Sequence, residues 1–312
     1  MEPSPPLTAA EKKFRSGFVV LAGRPNSGKS TLINTVLGEE ISPVTPLPQT
    51  TRRRIYGVHT TPSMQIVFID TPGIHRGGHR LNRAMLCEAE SAARGDGIDC
   101  LCYIVDLSRD FGEEETLAAA IAQTSGAPRL IVFNKKDICS SVQRECGRFF
   151  SLFPGLAGAP SVTISAVSPA AKKEFLDALD PFIKEGPRYF DEETLTDADM
   201  RSLAAEFLRK HLILATRDEV PHAVFVEIES YRELESRHDI RAIIHVETTG
   251  QRGIIIGKKG ALLARIRRNA EAEFGRLAGC PVSISCHIKV TPHWRDSKSF
   301  LRSTRFFPDH TS

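Results

Sequence analysis

No two of the seven cysteines (Cys87, Cys100, Cys102, Cys139, Cys146, Cys280, Cys286) form a C-x-x-C pair, and their number is odd. Neither a zinc module nor a complete disulfide framework fits, so buried thiols in a reducing compartment are expected. No stretch approaches the roughly 18 consecutive apolar residues of a membrane span, and the start, MEPSPPLTAAEKKF, lacks the apolar core of a signal peptide. A cytosolic location follows as the expectation. Internal repeats and low-complexity tracts are absent, as is a large net charge: 41 Lys+Arg against 38 Asp+Glu leave +3, no strong case for a polyanion partner. That average hides a division. Residues 1–200 carry 22 basic and 25 acidic side chains, and residues 201–312 carry 19 and 13, a slightly acidic front and a basic back.

What is present is ordinary globular composition, 41% hydrophobic and 25% charged, in 312 residues, about two domains' worth. After a Pro-rich, flexible start (1–15), continuous apolar runs at 17–23, 64–70, 99–106, 129–134 and 161–166 alternate with helical segments. Such runs suit strands buried on both faces of a doubly wound, mostly parallel α/β sheet. The more polar 52–60 is expected to pair with 64–70 as an antiparallel edge hairpin. Alternation ends after a helix of about 169–184, placing a first domain at 16–185 and a linker at 186–197, where Gly186 and Pro187 break the helix. Thr196 is the candidate N-cap of the next helix, with Asp199 at the capping-box position. Beyond it the pattern predicts helix 197–215, strands 222–230 and 240–248, a helical pair around 251–277 and strand 281–290. That αββααβ order describes a small α+β domain at 198–295, followed by a tail, 296–312.

The first strand runs into Gly23-Arg24-Pro25-Asn26-Ser27-Gly28-Lys29-Ser30-Thr31, which satisfies G-x-x-x-x-G-K-[ST] between a strand and a helix. Backbone N–H groups of such a loop close around phosphate oxygens, Lys29 adds charge at the β/γ-phosphates, and Ser30 offers a hydroxyl to Mg²⁺. Three further elements select GTP. Asp70-Thr71-Pro72-Gly73 ends strand 64–70 with a carboxylate able to hold a metal-bound water and a Gly whose N–H can meet the γ-phosphate. Asn134-Lys135-Lys136-Asp137 reads N-K-x-D, and the Asp137 carboxylate can accept from both N1–H and the exocyclic amine of guanine, a donor pair that adenine lacks. Ser165-Ala166 can offer backbone N–H to guanine O6. All sit at strand carboxyl ends, where open α/β sheets bind ligands, and their order resembles the translation-factor class of GTPases.

Gln49-Thr50-Thr51-Arg52 lies in a Pro-punctuated loop that serves as the first switch in that class, where a Thr completes the Mg²⁺ shell only with the γ-phosphate present. Thr51 is preferred to Thr50 because related GTPases place this Thr just before Arg. Attack by water needs orientation and charge stabilisation; Lys29, Thr51 and Gly73 are the candidates for the latter. Ile74 stands where many GTPases carry a water-orienting Gln, so slow intrinsic turnover is expected. Asn26 either coordinates a K⁺ ion acting like an arginine finger or only braces the loop. His75 and Arg76 are weaker catalytic candidates in the second switch.

Residues 248–270 hold six basic side chains (Arg252, Lys258, Lys259, Arg265, Arg267, Arg268) and no acid. At their centre Ile256-Gly257-Lys258-Lys259-Gly260 supplies G-x-x-G between two helices, which brings a nucleic-acid backbone close to main-chain N–H groups. The αββααβ frame resembles the type II K-homology domain, which implies a ligand of roughly four unpaired nucleotides. No aromatic lies between 248 and 270, so stacking is not the expected mode. Trp294, the only tryptophan, is a lid, an RNA contact or a core residue.

Taken together, GRPNSGKSTLIN, QTTRRRIYGVHT, FIDTPGIH, NKKD, IIGKKGA and IKVTPHWRD resemble the Era family of bacterial GTPases, from Ser16 to about Arg302. The resemblance implies a monomer that uses GTP/GDP with Mg²⁺, binds 16S ribosomal RNA near its 3′ end, assists 30S subunit assembly and contacts the inner membrane peripherally. Departures are Ser27 for a commoner Val, Pro169 in place of a Gly after Ser165-Ala166, and Ser285-Cys286-His287 for a more hydrophobic run. A GTPase of the tandem or tRNA-modifying kind is the alternative.

Overall fold

The computed structural model describes residues 13–47, 51–52, 54–74, 78–95 and 97–304. In chain order the first domain contains β1 (Arg15–Ala22), α1 (Lys29–Leu37), β2 (Ile55–Thr61), β3 (Met64–Asp70), α2 (Arg80–Arg94), β4 (Cys100–Asp106), α3 (Glu113–Thr124), β5 (Arg129–Asn134), α4 (Val142–Leu152), β6 (Ser161–Thr163), α5 (Ala171–Leu179) and β7 (Lys184–Glu185). The sheet order is β2-β3-β1-β4-β5-β6, parallel apart from the β2/β3 hairpin, with β7 pairing antiparallel to the start of β1. β1 is central because it is apolar on both faces, and its neighbours β3 and β4 lie on opposite sides of it. The chain leaving β1 therefore enters the crevice at the sheet's topological switch point, where such sheets hold ligands. Apolar side chains of both faces are buried, one under α2, α3 and α4, the other under α1 and α5.

The second domain follows with α6 (Met200–Ala215), α7 (Val220–Ala223), β8 (Phe225–Glu233), β9 (His238–Val246), α8 (Thr249–Ile256), α9 (Ala261–Ala278), β10 (Val282–Val290) and α10 (Lys298–Ser303). Its sheet runs β10-β9-β8, with β9 and β10 parallel across the helical pair. Ile266, Ala270 and Phe274 bury one face of α9 against α6 and this sheet, leaving the basic face of α9 outward.

Several local expectations change. Asp199, not Thr196, caps α6, accepting from Ser202 N at 2.6 Å, while Thr196 Oγ1 accepts from Ala198 N and Thr196 bridges to Gly57. The 186–197 segment is docked on the first domain: Gln65 Oε1 accepts from Tyr189 N and Phe190 N, and Val58 N donates to Leu195 O. Part of the expected tail is helix α10, whose Leu301 is buried with Leu81, Met85, Phe225 and Trp294 between the domains. Trp294 is thereby a core residue, its Nε1 donating to Ala223 O at 2.8 Å.

Candidate functional site

A cavity of about 520 Å³ opens at the carboxyl end of β1, lined by the P-loop (including Pro25, Lys29 and Thr31), residues 43–46, Thr51, Thr71, Gly73, Arg109 and Lys135. The P-loop turns tightly because Gly28 has φ 99°, and a Cβ there would lie 2.1 Å from the Asn134 amide. Lys29 is buried and its ammonium donates to the loop's own Gly23 and Arg24 carbonyls at 3.1 and 3.0 Å. Burial pushes its pKa down to about 8 against the pull of Asp70. The geometry suits a phosphate as partner of this ammonium.

Three hydroxyls converge on the buried Asp70 carboxylate: Ser30 Oγ at 2.6 Å, Ser42 Oγ at 2.8 Å and Thr51 Oγ1 at 3.5 Å, all on Oδ2. Ser30 and Thr51 are 3.0 Å apart. Oδ1 is buried with no hydrogen-bond partner among the described residues, and burial raises the carboxyl's pKa. An orphaned hard oxygen beside three hydroxyls fits Mg²⁺, whose ligands are oxygens. Ser42 was not singled out by the sequence, since a Ser in ISPVT carries no motif. Gln49, Thr50, His75 and Arg76 lie outside the described residues.

Not every residue of the motifs faces the cavity. Arg24 is turned into the domain, donating to the Asp106, Arg109 and Asp110 carbonyls and pairing with the buried Glu115 at 2.9 Å, so only its backbone borders the phosphate loop. Arg109 answers by donating to Pro25 O at 2.9 Å. Asn134 is buried and braces the loops: Nδ2 donates to Ser27 O at 2.8 Å, and Oδ1 accepts from Ala166 N at 2.9 Å. The Ala166 N–H expected at guanine O6 is thus engaged within the protein. Lys135 pairs with Asp106, and Lys136 points away to Glu174. Asp137 is exposed, and the N–H of the preceding Lys136 donates to Ile164 O at 3.2 Å. The Ile74 side chain is fully buried, outside the cavity lining, and its N–H donates to Gly23 O at 3.1 Å, which ties Asp70-Thr71-Pro72-Gly73 to the P-loop. Asn26 Nδ2 donates to Pro46 O at 2.8 Å, bracing the first switch.

The second candidate surface lies at the junction of α8 and α9. A capping box of Thr248 and Gln251 starts α8, and the helix ends where Gly257 takes φ 69°, a turn in which a Cβ would meet Leu262 at 2.6 Å. Lys258 and Lys259 are exposed on that turn, Gly260 leads into α9, and Ile256 packs partly inward. Among the described residues Arg252, Lys258, Lys259, Arg265 and Arg268 make no ion pair. Ile254, half exposed beside them, adds an apolar contact that charge patterning did not reveal.

Comparison with known proteins matches the regions that contain these two surfaces. Residues 18–135 match a family model described as a 50S ribosome-binding GTPase, and residues 219–295 match a KH domain model. GTPase Era of Geotalea uraniireducens is 37% identical over 295 residues, covering 94% of this chain and 98% of that protein, and GTPase Era of Synechocystis is 37% identical over 296. The chain belongs to the Era family of GTPases. Among solved structures, Era in complex with MgGDPNP and nucleotides 1506–1542 of 16S ribosomal RNA superposes with a TM-score of 0.88 at 30% identity, covering 94% of this chain and 99% of that one. A single-residue variant of Aquifex aeolicus Era bound to GDP and AlF₄⁻ gives 0.87 at 30% identity over the same shares. This Era-family GTPase hydrolyses GTP to GDP and phosphate.

Proposed function

We propose that this chain is a Mg²⁺-dependent GTPase whose nucleotide state controls binding to 16S ribosomal RNA near its 3′ end, and that it serves 30S subunit assembly. The observation that carries the reading is the presence, in one chain, of the Asp70 hydroxyl cluster under a phosphate loop and of an unpaired basic G-x-x-G turn. Ser30, Thr51 and Asp70 are the residues that would hold Mg²⁺, which when bound supplies charge neutralisation at the β- and γ-phosphates. Lys29 exchanges its two loop carbonyls for phosphate oxygens, and the N–H of Gly73 meets the γ-phosphate. Thr51 and Ser42 come to Asp70 from the first switch, so the order of that segment depends on what the cluster holds. Asn26 Oδ1 is available for K⁺ while its amide holds Pro46. Asp137 selects guanine.

RNA phosphates are met by Arg252, Lys258 and Lys259, with main-chain N–H groups of the Gly257–Gly260 turn closing on the backbone. The working form is a monomer in the cytoplasm with peripheral contact to the inner membrane; no described helix is long and apolar enough to cross one. The test is Lys258→Glu with Lys259→Glu, measured by anisotropy with a labelled RNA of the 16S 3′-terminal region. Expected are at least a tenfold loss of affinity, a salt slope smaller by about 1.4 for two lost single-strand phosphate contacts, and unchanged GTP hydrolysis without RNA. Affinity within twofold of wild type would refute the RNA site.

A further inference from the structure

The turn Trp294–Asp296 lies in neither the nucleotide cavity nor the G-x-x-G loop, yet contacts from both arrive there. From the first switch comes Arg52, the residue after Thr51. It is 2% exposed, donates to Val224 O at 2.7 Å and His222 O at 3.2 Å, and sets its guanidinium 5.7 Å from the centre of the Trp294 ring. From the second switch comes α2, which follows Asp70-Thr71-Pro72-Gly73 and has no side-chain cap of its own. Asp296 supplies that cap from the other domain: Oδ1 accepts from Arg80 N at 2.9 Å and Oδ2 lies 2.7 Å from His79 Nδ1. Behind it Leu81 and Met85 of α2 pack with Phe225, Trp294 and Leu301.

Between these two contacts stands Arg295, which reaches the other way. Its Nη2 donates to Glu247 Oε2 at 2.5 Å, in a pair about four-fifths buried on either side. Glu247 N donates in turn to Gln251 Oε1 at 2.8 Å, and Gln251 is half of the capping box that starts α8. Six and seven residues on from Gln251, the end of α8 delivers Gly257 and Lys258.

We propose that the Trp294–Asp296 turn is an interdomain latch that couples the order of both switches to the setting of the G-x-x-G turn, with Arg52, Asp296 and the Arg295–Glu247 pair as its positioning residues. This rests on the nucleotide-controlled RNA binding proposed above. The coupling is direct rather than through the 186–197 segment, which is fastened to β2 and β3 of the first domain. A buried guanidinium cannot leave two carbonyls and an indole face without stranding its donors, so Arg52 moves with the turn or holds Thr51 where it is. A helix start capped from another domain likewise ties α2 to that domain's position. One rigid turn thus meets both nucleotide-sensing segments and the helix that carries the RNA turn, which is the physical form that linkage between two sites requires.

The experiment measures the ratio of RNA dissociation constants, GDP form over GTP-analogue form, using the 16S 3′-terminal RNA, for wild type, Arg295→Gln, Glu247→Gln and the double variant. Wild type is expected to show about a tenfold ratio, within the usual range of coupling between sites. Each single variant is expected to bring it below about twofold, and the double variant to lie no lower than the singles, as for two partners of one link. GTP-analogue affinity and RNA-free hydrolysis stay at wild-type values, which a merely unfolded domain would not allow. Asp296→Ala, on the other arm, gives the same loss of ratio and keeps the test decisive where an Arg295 variant fails to fold. A wild-type ratio preserved in these variants overturns the latch alone, whereas a wild-type ratio near one overturns nucleotide control and the latch with it.

Discussion

Replacing Asp70 with Asn separates a metal site from a structural anchor, because the two roles predict opposite signs. Asn is isosteric, and its carbonyl oxygen can still accept from Ser30 and Ser42, which now lie 2.6 and 2.8 Å from Oδ2. Turning these two from charge-assisted into neutral hydrogen bonds costs about 1 kcal/mol each. Against that, the carboxylate is fully buried, Oδ1 has no partner among the described residues, and removing such a charge returns several kcal/mol of desolvation. The nucleotide-free variant is therefore expected within about 2 kcal/mol of wild type, by urea unfolding. With Mg²⁺ and GDP the comparison reverses. Wild type gains about 2.7 kcal/mol at a hundred times its Kd, and the variant, with metal affinity reduced about 10–100-fold, gains far less. Mg²⁺-dependent hydrolysis falls in parallel. A variant losing more than about 3 kcal/mol without nucleotide, the cost of breaking a buried pair, while keeping its full Mg²⁺-dependent stabilisation would make Asp70 an anchor for Lys29 and refute the metal assignment.

Other expectations follow from the same geometry. Thr51→Ala should lower Mg²⁺-dependent GTP hydrolysis and Thr50→Ala should not; loss in the Thr50 variant alone reverses the assignment. Wild type should hydrolyse GTP faster in K⁺ than in Na⁺, with the difference altered in Asn26→Asp, and identical rates in both salts would remove the K⁺ proposal. His245 is buried, and burial lowers its pKa below 6.5 despite the Glu227 carboxylate 2.8 Å away, with Lys289 adding to the depression. The folded protein then binds fewer protons than the unfolded chain below that value. This contribution to stability is complete above pH 6.5 and declines as pH falls, by at most about 1.4 kcal/mol per unit. Urea midpoints at pH 7.5 and 5.5 should differ less in His245→Gln than in wild type, and an equal difference would place the titration elsewhere.

Features written in contiguous residues were legible before any fold was known. The phosphate loop, N-K-x-D and G-x-x-G each need their donors within a few residues, so local spacing encodes them, and the two-sided burial of β1, β3, β4 and β5 shows as unbroken apolar runs. The Arg24 side chain and the Ala166 N–H have partners that no local pattern announces. Arg24 belongs to the motif by position, but Glu115, 91 positions on, claims its side chain, and Asn134 claims the Ala166 N–H. Ser42 carries no local pattern, and the motifs that contain Arg52 and Asp296 do not tell what these side chains meet; the partners of the three lie 28, 172 and 216 residues away, and only the packed domains bring them together. At the α6 start the cap is Asp199, three residues beyond the expected Thr196, which is held at the edge of β2.

Thermodynamic reciprocity gives the most direct test of nucleotide-controlled RNA binding. Affinity for a non-hydrolysable GTP analogue and for GDP should be measured with and without saturating 16S 3′-terminal RNA. If nucleotide state controls RNA binding, the RNA shifts the analogue-over-GDP preference by the same factor by which the nucleotide shifts RNA affinity, about tenfold. A preference unchanged by bound RNA would mean that the two domains work independently.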